Sequence, residues 1–382
     1  MMNFGYITNG KLYCSIGERL PTEIKSEFAE QVVRRHKKFA EKHQWKSASE
    51  EGDMFGYNLW SQSASASDRP LVKINSVAAA PNENAVFYTL QTESIGGLFK
   101  YDFEEQYEKR IFHKESIYIT DLCHHPDSDE FVCAMNDGGV QSIAVLSDEK
   151  FDYHFITEGD SIDAAPSWVP GEADTIVYQS AGVGRNQAGL MVHYGNTTIE
   201  KLNFSNGEQS TILADDACDY LCPRYDEHGN LYCIRRKCEH NGQRIKHTEA
   251  IKDFFLIPFR LLKALFGFLN LISQIFGKQS LVNATTGKKT PVDKQTIFLK
   301  GRLIDLAKEK DVEGSIVPGD WELIKMSPDG TIGTLAKNVS DYTVQASGLI
   351  IYTNGYSIIK LDQQKIDELF KSKEIIESLV VL

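Results

Sequence analysis

The chain has 382 residues and a formal net charge of −12 at pH 7, from 41 basic and 53 acidic side chains. This acidic balance argues against nucleic-acid binding, which needs clustered lysine and arginine. The length fits one ring of repeated units or two ordinary domains. Seven cysteines, most of them in predicted strands, indicate buried free thiols. The first twenty residues lack a basic stretch followed by an apolar core, so we expect a cytoplasmic setting.

The N-terminal part predicts a β-hairpin and then a helical insertion. The first sixteen residues turn at Asn9-Gly10, a dipeptide typical of a two-residue hairpin, and we assign them to the first blade of a repeat protein. Residues 17–54 follow as an insertion. Between Glu23 and Trp45, apolar residues recur every three or four positions, which predicts an amphipathic helix with a thin apolar stripe. Strands are expected to resume at Phe55–Trp60 and Leu71–Ile74.

A repeated unit occupies most of the remaining chain. Each copy is a short strand ending near a proline, followed by a second strand rich in β-branched and aromatic residues, and it is clearest in Asp163–Ser180. The prolines recur at intervals of roughly 40–60 residues, and such a period with about four strands is typical of propeller blades. They are Pro81, Pro126, Pro166 and Pro223.

The second half of each unit adds two more strands. Asn206-Gly207 and Asp329-Gly330 are hairpin signals between such strands, so a blade reads as inner, second, third and outer strand. The last strand, Ile376–Leu382, is expected to pair with blade one and remove an exposed sheet edge. The predicted blades two to six cover 73–114, 115–158, 159–214, 215–339 with an insertion at 235–320, and 340 onward.

The repeat resembles a known family. Pro166–Gly171 followed by Ile176–Ser180 resembles the repeat of the TolB-like, or WD-repeat-like, β-propellers, and Asn206–Glu208 with Thr211–Leu213 is similar to the outer hairpin of that repeat. The resemblance covers most of the chain outside the insertions and implies a propeller, but it implies no particular activity. The predicted fold is therefore all-β: one domain over 1–382, a six-bladed β-propeller with two helical insertions, 17–54 in blade one and 235–320 in blade five.

Residues 251–276, inside the second insertion, form the most apolar stretch. At 100° per residue its polar positions fall within about a third of the circumference, which predicts an amphipathic helix. A transmembrane span is disfavoured, because Arg260, Lys263 and Asn270 lie near its middle and one ring contains the blades on both sides. An interfacial membrane helix and a packing or oligomer contact remain open. The residues expected to touch lipid or a partner are Phe255, Phe259, Leu262, Phe266, Leu269 and Ile272.

Polar residues near the starts of the inner strands predict a binding rim. The link from strand two to strand three opens on the face where each inner strand starts, and both insertions are assigned to that link, so we expect both helices above the channel mouth. An acidic ring there either holds a cation or basic peptide or hydrogen-bonds backbone amides in its own turns. The predicted rim residues are Asp121, His125, Asp163, Arg185, Asp219 and Asp341.

No metal or cofactor site is predicted. His124 and His125 lie beside Asp121, but successive strand residues point to opposite faces and cannot easily reach one ion. The cysteines from Cys218 to Cys238 lack zinc-site spacing. The glycine-rich segment 180–185 follows a strand and opens no predicted helix, unlike a phosphate-binding loop.

These observations favour a non-enzymatic cytoplasmic binding or scaffold protein. It is expected to bind a protein or peptide on the insertion-bearing face and to attach peripherally, through 251–276, to the inner face of a membrane. One alternative is a propeller enzyme, possibly a hydrolase, that uses Asp121, His125, Asp163 and Arg185 at the channel. The other is a soluble oligomer with 251–276 as its interface. The sequence has no Gly-x-Ser-x-Gly elbow and no His-Glu-x-x-His motif.

Overall fold

The structure, a computed structural model, contains in its described residues five four-stranded antiparallel sheets, one five-stranded antiparallel sheet and a separate two-stranded hairpin. The six innermost strands contact one another in a closed cycle, so the sheets are the blades of one wheel. This confirms the predicted all-β, six-bladed propeller. The described residues are 2–17, 19–35, 38, 72–80, 84–92, 95–137, 140–147, 152–186, 189, 191–238, 296–305, 314–345, 348–362 and 365–382.

Blades one to three account for the first eleven strands. Blade one begins with β1 (Phe4–Thr8), β2 (Lys11–Ser15) and β3 (Thr22–Ile24). Blade two is β4 (Val72–Ala79), β5 (Ala85–Thr92), β6 (Ile95–Asp102) and β7 (Tyr107–Glu115). Blade three is β8 (Tyr118–His124), β9 (Glu130–Asp137), β10 (Val140–Ser147) and β11 (Asp152–Phe155).

Blade four carries one additional strand, and blade five carries one additional hairpin. Blade four is β12 (Ser161–Trp168), β13 (Thr175–Arg185), β15 (Thr198–Asn203) and β16 (Glu208–Leu213), and β14 (Met191–Tyr194) pairs with the end of β13. Blade five is β17 (Cys218–Tyr225), β18 (Leu231–Lys237), β21 (Glu322–Met326) and β22 (Ile332–Lys337). Between its second and third strands, β19 (Thr296–Leu299) and β20 (Arg302–Asp305) form a separate hairpin.

Blade six and the last strand complete the wheel. Blade six is β23 (Asp341–Val344), β24 (Ile350–Thr353), β25 (Ser357–Asp362) and β26 (Lys365–Lys371). Strand β27 (Ser378–Val381) pairs antiparallel with β1 and is the innermost strand of blade one. The predicted closure by the end of the chain is confirmed.

Blade one differs from its predicted composition. Because β27 occupies the innermost position, β1 and β2 are the second and third strands, and β3 completes the sheet. The strand predicted at Leu71–Ile74 belongs instead to β4 of blade two, and Phe55–Trp60 lies outside the described residues. The first insertion therefore connects the outer strand of blade one to the inner strand of blade two. Strand direction alternates within a blade, so this link leaves on the same rim as the link between strands two and three.

One short helix, α1 (residues 27–35), is described, and the two predicted helical insertions are not confirmed. The prediction started the first helix too early, because Glu23 and Ile24 belong to β3. Residues 36, 37 and 39–45 of the predicted Glu23–Trp45 helix lie outside the described residues, and so does all of 251–276. No helix in the described ranges has the length and apolar character of a membrane span.

Helix α1 is fixed at its N-terminus by a carboxylate from blade two. The Ser26 Oγ accepts a hydrogen bond from the Ala29 N at 3.1 Å, as an N-cap does. The same hydroxyl donates to the Glu108 Oε1 at 2.9 Å, and the Glu108 Oε2 accepts from the Glu27 N. Glu108 lies on β7 and is 9% exposed. Its negative charge lies where the helix dipole favours it, and it joins the first insertion to the propeller.

β-Bulges in the inner strands of blades three to five position the joints between blades. Register shifts occur after Thr120, Ala164 and Leu221. The next residues, Asp121, Ala165 and Cys222, are therefore structurally equivalent, and their φ values are 49°, 49° and 54°. A bulge re-aims the backbone locally, and each of these three bulges presents a backbone amide, that of Leu122, Ala165 or Cys222, to the preceding blade.

Hydrogen bonds at these bulges connect blades two to five. The Leu122 N donates to the Ser76 Oγ at 2.7 Å. The Ala165 N donates to the Asp121 Oδ2 at 3.3 Å, and the Cys222 N donates to the Gln179 Oε1 at 2.8 Å. Each bond joins a side chain of one blade to the backbone of the next.

The remaining joints are also hydrogen-bonded. The Tyr342 OH donates to the Cys222 O at 2.6 Å, which joins blades five and six. The Leu379 N donates to the Asp341 Oδ2 at 2.8 Å, which joins blades six and one. The Ile74 N donates to the Gly10 O at 2.8 Å, which joins blades one and two. Buried polar groups thus fix the order of blades around the axis.

We expect Glu108→Ala to lower the free energy of unfolding by about 1–2 kcal/mol, because it removes a cap and leaves a buried Ser26 hydroxyl without its acceptor. Urea denaturation followed by circular dichroism measures the change. The control is Glu105→Ala, which changes an exposed carboxylate in the turn before β7. Equal midpoints for the two variants would contradict the capping role.

Candidate functional site

The inner strands enclose a cavity of about 40 Å³ on the axis of the wheel, and all six blades contribute to its lining. Four lining residues are charged: Asp121, Arg224, Lys300 and Asp341. Three of them come from inner strands, while Lys300 comes from the turn of the β19–β20 hairpin. The second insertion therefore returns to the wheel and closes one end of its channel.

Lys300 reaches the cavity from an unusual backbone conformation. Lys300 and Gly301 form the two-residue turn with φ values of 44° and 79°, a left-handed geometry that asparagine and glycine usually adopt. The Lys300 Nζ lies 3.3 Å from the Asp341 Oδ1. Burial by itself lowers the pKa of this ammonium, but Asp341, Cys222 and Asp121 outweigh it and the pKa lies above its usual value. The lysine is therefore charged inside the channel.

Two arginines hold the hairpin against blade five. The Arg236 Nη1 donates to the Lys300 O at 2.8 Å, and the Arg302 Nη2 donates to the Lys237 O at 2.6 Å. Both guanidinium groups also pair with the Asp219 Oδ2, at 3.2 and 3.6 Å. Burial and the positive charge of the neighbouring Arg302 lower the pKa of Arg236.

The base of the hairpin is packed as well as charged. The indole ring of Trp321 lies 4.9 Å from the Arg236 guanidinium and 6.0 Å from that of Arg302, a cation–π arrangement. Leu299 and Ile304 are buried in the same apolar cluster as Trp321. The hairpin is thus an integral cover of the channel mouth.

The four predicted rim aspartates all lie on inner strands, but only Asp121 and Asp341 line the cavity. Asp163 accepts a hydrogen bond from the Ser180 Oγ at 2.7 Å within its own blade, and Asp219 holds the arginines. Asp163 precedes the bulge residue Ala165 of its strand by two residues, whereas Asp219 precedes the bulge residue Cys222 of its strand by three. Alternation along a strand therefore sends their side chains to opposite faces.

His125 and Arg185 do not join the cavity. His125 follows Asp121 by four residues, roughly 13 Å of extended strand, and its ring lies 4.6 Å from that of Trp168. The Arg185 Nε pairs with the Asp160 Oδ1 at 2.6 Å, and its Nη1 donates to the Gly189 O at 3.0 Å. The residues assigned to the enzyme alternative therefore do not converge.

The remaining predictions concern the contacts of residues 251–276 and metal binding. Phe255, Phe259, Leu262, Phe266, Leu269 and Ile272 lie outside the described residues. Within the described ranges, no group of three histidine, cysteine or acidic side chains is placed to hold a metal ion. A larger hollow of about 450 Å³ lies between the outer strands of blades two and three and is lined by Arg110, Lys114 and Tyr153, far from the axis.

Sequence reasoning missed the residues that build the channel cover: Arg224, Arg236, Lys300, Arg302 and Trp321. A usable signal existed, because short apolar runs, Ile297–Leu299 and Leu303–Ile304, lie on both sides of a glycine-containing pair, as in a hairpin. The long-range pairing of that hairpin with Asp219 and Asp341 has no local signature.

Comparisons with known proteins identify the fold. No protein-family model and no curated protein matches the sequence. The structure of TolB from Acinetobacter baumannii has a TM-score of 0.53 at 9% identity, covering 99% of this chain and 66% of that chain. A structure of the nidogen/laminin complex has a TM-score of 0.51 at 8% identity, covering 100% of this chain and 98% of that chain. The predicted resemblance to TolB-like propellers is confirmed, and at these identities it establishes the fold.

We expect Asp219→Asn to lower the free energy of unfolding by about 3 kcal/mol, because two largely buried guanidinium groups lose their shared counter-charge. Limited proteolysis should also cut within the β19–β20 hairpin faster than in the wild type. Asp216→Asn, an exposed change near the start of the same strand, is the matched control and should behave like the wild type. Hairpin cleavage at the wild-type rate in Asp219→Asn would show that this cluster does not hold the cover.

Proposed function

We propose that this chain is a non-enzymatic propeller that binds a protein or peptide on its insertion-bearing face. We further propose that residues 251–276 attach that face to the inner surface of a membrane in a cytoplasmic setting. The observation that carries the proposal is the covered channel. Ligand pockets usually occupy about 300–1,000 Å³, whereas the axial cavity of about 40 Å³ has room for only a few water molecules.

The paired charges of the cavity support surface binding over catalysis. Lys300 pairs with Asp341, and Asp121 accepts a backbone hydrogen bond. A hydrolytic enzyme needs a nucleophile and a base within hydrogen-bond reach of each other and of the substrate. His125 and Arg185 have other partners, so the channel offers no such arrangement among the described residues.

The topology supports the choice of face. The first insertion leaves from β3, and the second leaves from the end of β18; both links open on the rim where inner strands start. Helix α1 and the β19–β20 hairpin both belong to these links. One structural neighbour is a protein–protein complex, which agrees with a propeller surface that serves protein recognition.

Flotation with lipid vesicles tests the membrane part of this proposal. We expect the full chain to float with vesicles, and we expect Phe259→Ser, Leu262→Ser and Phe266→Ser combined to abolish flotation, because they remove the apolar face that would enter the headgroup region. The matched control combines Leu20→Ser, Tyr107→Ser and Ile366→Ser, which remove exposed apolar side chains elsewhere, and it should still float.

Unchanged flotation of the 259/262/266 variant would end the membrane proposal. If the wild type does not float and sedimentation shows an oligomer that this variant dissociates, the oligomer alternative replaces it. Both measurements use the intact protein.

A further inference from the structure

The outer strand of blade two, β7, is the longest outer strand in the described part of the wheel. It has nine residues, whereas the outer strands of the other blades have three to seven. Among the described strands it pairs only with β6, and it ends its sheet. The unpaired backbone groups of such an edge can bind a strand of another chain, and proteins usually keep these edges short. The length of β7 therefore makes it a candidate docking edge.

A hollow of about 450 Å³ lies along this edge. Five consecutive residues of β7, from Arg110 to Lys114, line it together with Asp152 and Tyr153 at the start of β11. Side chains along a strand alternate between its two faces, so these five residues cannot all reach the hollow through their side chains. They share the backbone edge of the strand. The volume lies in the range of about 300–1,000 Å³ that is usual for bound ligands.

Basic side chains flank the edge on both faces of the sheet. Arg110 lies opposite Phe99, which packs in the apolar cluster between blades one and two. Lys114 lies on the other face, where its Nζ donates to the Tyr153 OH of blade three at 3.1 Å and sits 4.7 Å from the centre of that ring. A strand added beside β7 lies in the plane of the sheet, so its side chains meet basic groups on both faces.

The basic groups of this edge lack acidic partners within the described part of the protein. Lys109, Arg110 and Lys114 are exposed, and none of them forms an ion pair with a described carboxylate. Glu108, the buried acid of β7, is engaged at the N-terminus of helix α1, and Asp152 is the single acid among the lining residues. The edge is thus positively charged in a chain whose net charge is −12.

The charge of the edge selects the kind of strand that can add to it. Lysine on an edge strand disfavours apolar or basic strands, because their approach would leave a desolvated cation without a partner. A strand with carboxylates supplies the missing counter-charge. Its backbone hydrogen bonds provide affinity, and its side chains provide specificity.

We propose that β7 is a docking edge for an extended acidic segment of a protein partner, which adds to blade two as a fifth strand. The backbone of the segment pairs with β7, and its carboxylates lie beside Lys109, Arg110 and Lys114. This edge lies on the perimeter of the wheel, apart from the channel, and the proposal does not rest on the proposed function.

Peptide titration tests the docking edge in the full chain. The probe is the capped peptide Thr-Glu-Glu-Val-Thr-Glu-Glu-Val-Thr, which matches β7 in length and presents glutamate on both faces when extended. The comparison peptide has glutamine in place of every glutamate. We expect the glutamate peptide to bind the wild type about tenfold more tightly, measured by fluorescence anisotropy, because its charges complement the edge. Equal affinities, or no binding of either peptide at millimolar concentration, would disprove the docking edge.

Charge reversal on β7 tests the location. Lys109→Glu and Lys114→Glu combined should weaken binding of the glutamate peptide by about tenfold, because like charges then face each other. The matched control, Lys365→Glu and Lys371→Glu, reverses two exposed lysines on the outer strand β26. It changes the net charge by the same amount and should bind as the wild type does. Circular dichroism checks that both variants fold, and equal losses in the two would rule out a specific edge.

Backbone methylation separates strand addition from simple charge attraction. The glutamate peptide methylated at every internal backbone nitrogen keeps its charges but has no N–H groups to donate to a sheet edge. We expect its affinity for the wild type to fall to that of the glutamine peptide. If it instead binds as tightly as the unmethylated peptide, the added strand is disproved.

Discussion

The carboxylate of Asp341 makes the interaction on which the rest of the structure depends. One oxygen accepts the Leu379 backbone amide and so joins blade six to blade one. The other oxygen holds the Lys300 ammonium and so anchors the cover of the channel. Breaking a buried ion pair by removing one partner typically costs about 3–5 kcal/mol. The Asp341 side chain, which is 3% exposed, therefore takes part both in closing the wheel and in holding the cover of its channel.

The architecture was readable from the sequence because propeller blades repeat local patterns. The Asn-Gly turn, the alternating strands and the proline-bearing units all act within a few residues of one another. The prolines nevertheless predict the wrong set of equivalent residues at the rim. Pro126 lies in the turn after β8, as Pro170 does after β12, whereas Pro166 and Pro223 lie inside bulges. The true equivalents of Asp121 are Ala165 and Cys222, which carry no charge.

The candidate site was less predictable because its contacts span the chain. Arg236 on β18 donates a hydrogen bond to the Lys300 carbonyl, which lies 64 residues later in the chain, inside the second insertion. Sequence periodicity identifies a strand but not its distant partner. Helix α1 shows the same limit. Its apolar spacing predicted a helix, while the strand β3 at its start was set by pairing with β2, a contact that local periodicity does not encode.

The placement of β27 inside blade one has a consequence for biosynthesis. The Asn9 side chain donates a hydrogen bond to Glu374 across 365 residues of sequence, next to the pairing of β1 with β27. A ribosome releases the strands of blades two to six before β27, so the edge of β1 that pairs with β27 stays open until β27 is made. Such an edge can recruit another nascent chain. Loop-closure entropy rises only slowly with length, so the distance itself is a modest thermodynamic barrier. The risk therefore comes from the order of synthesis, because β27 is the last strand of blade one to be made.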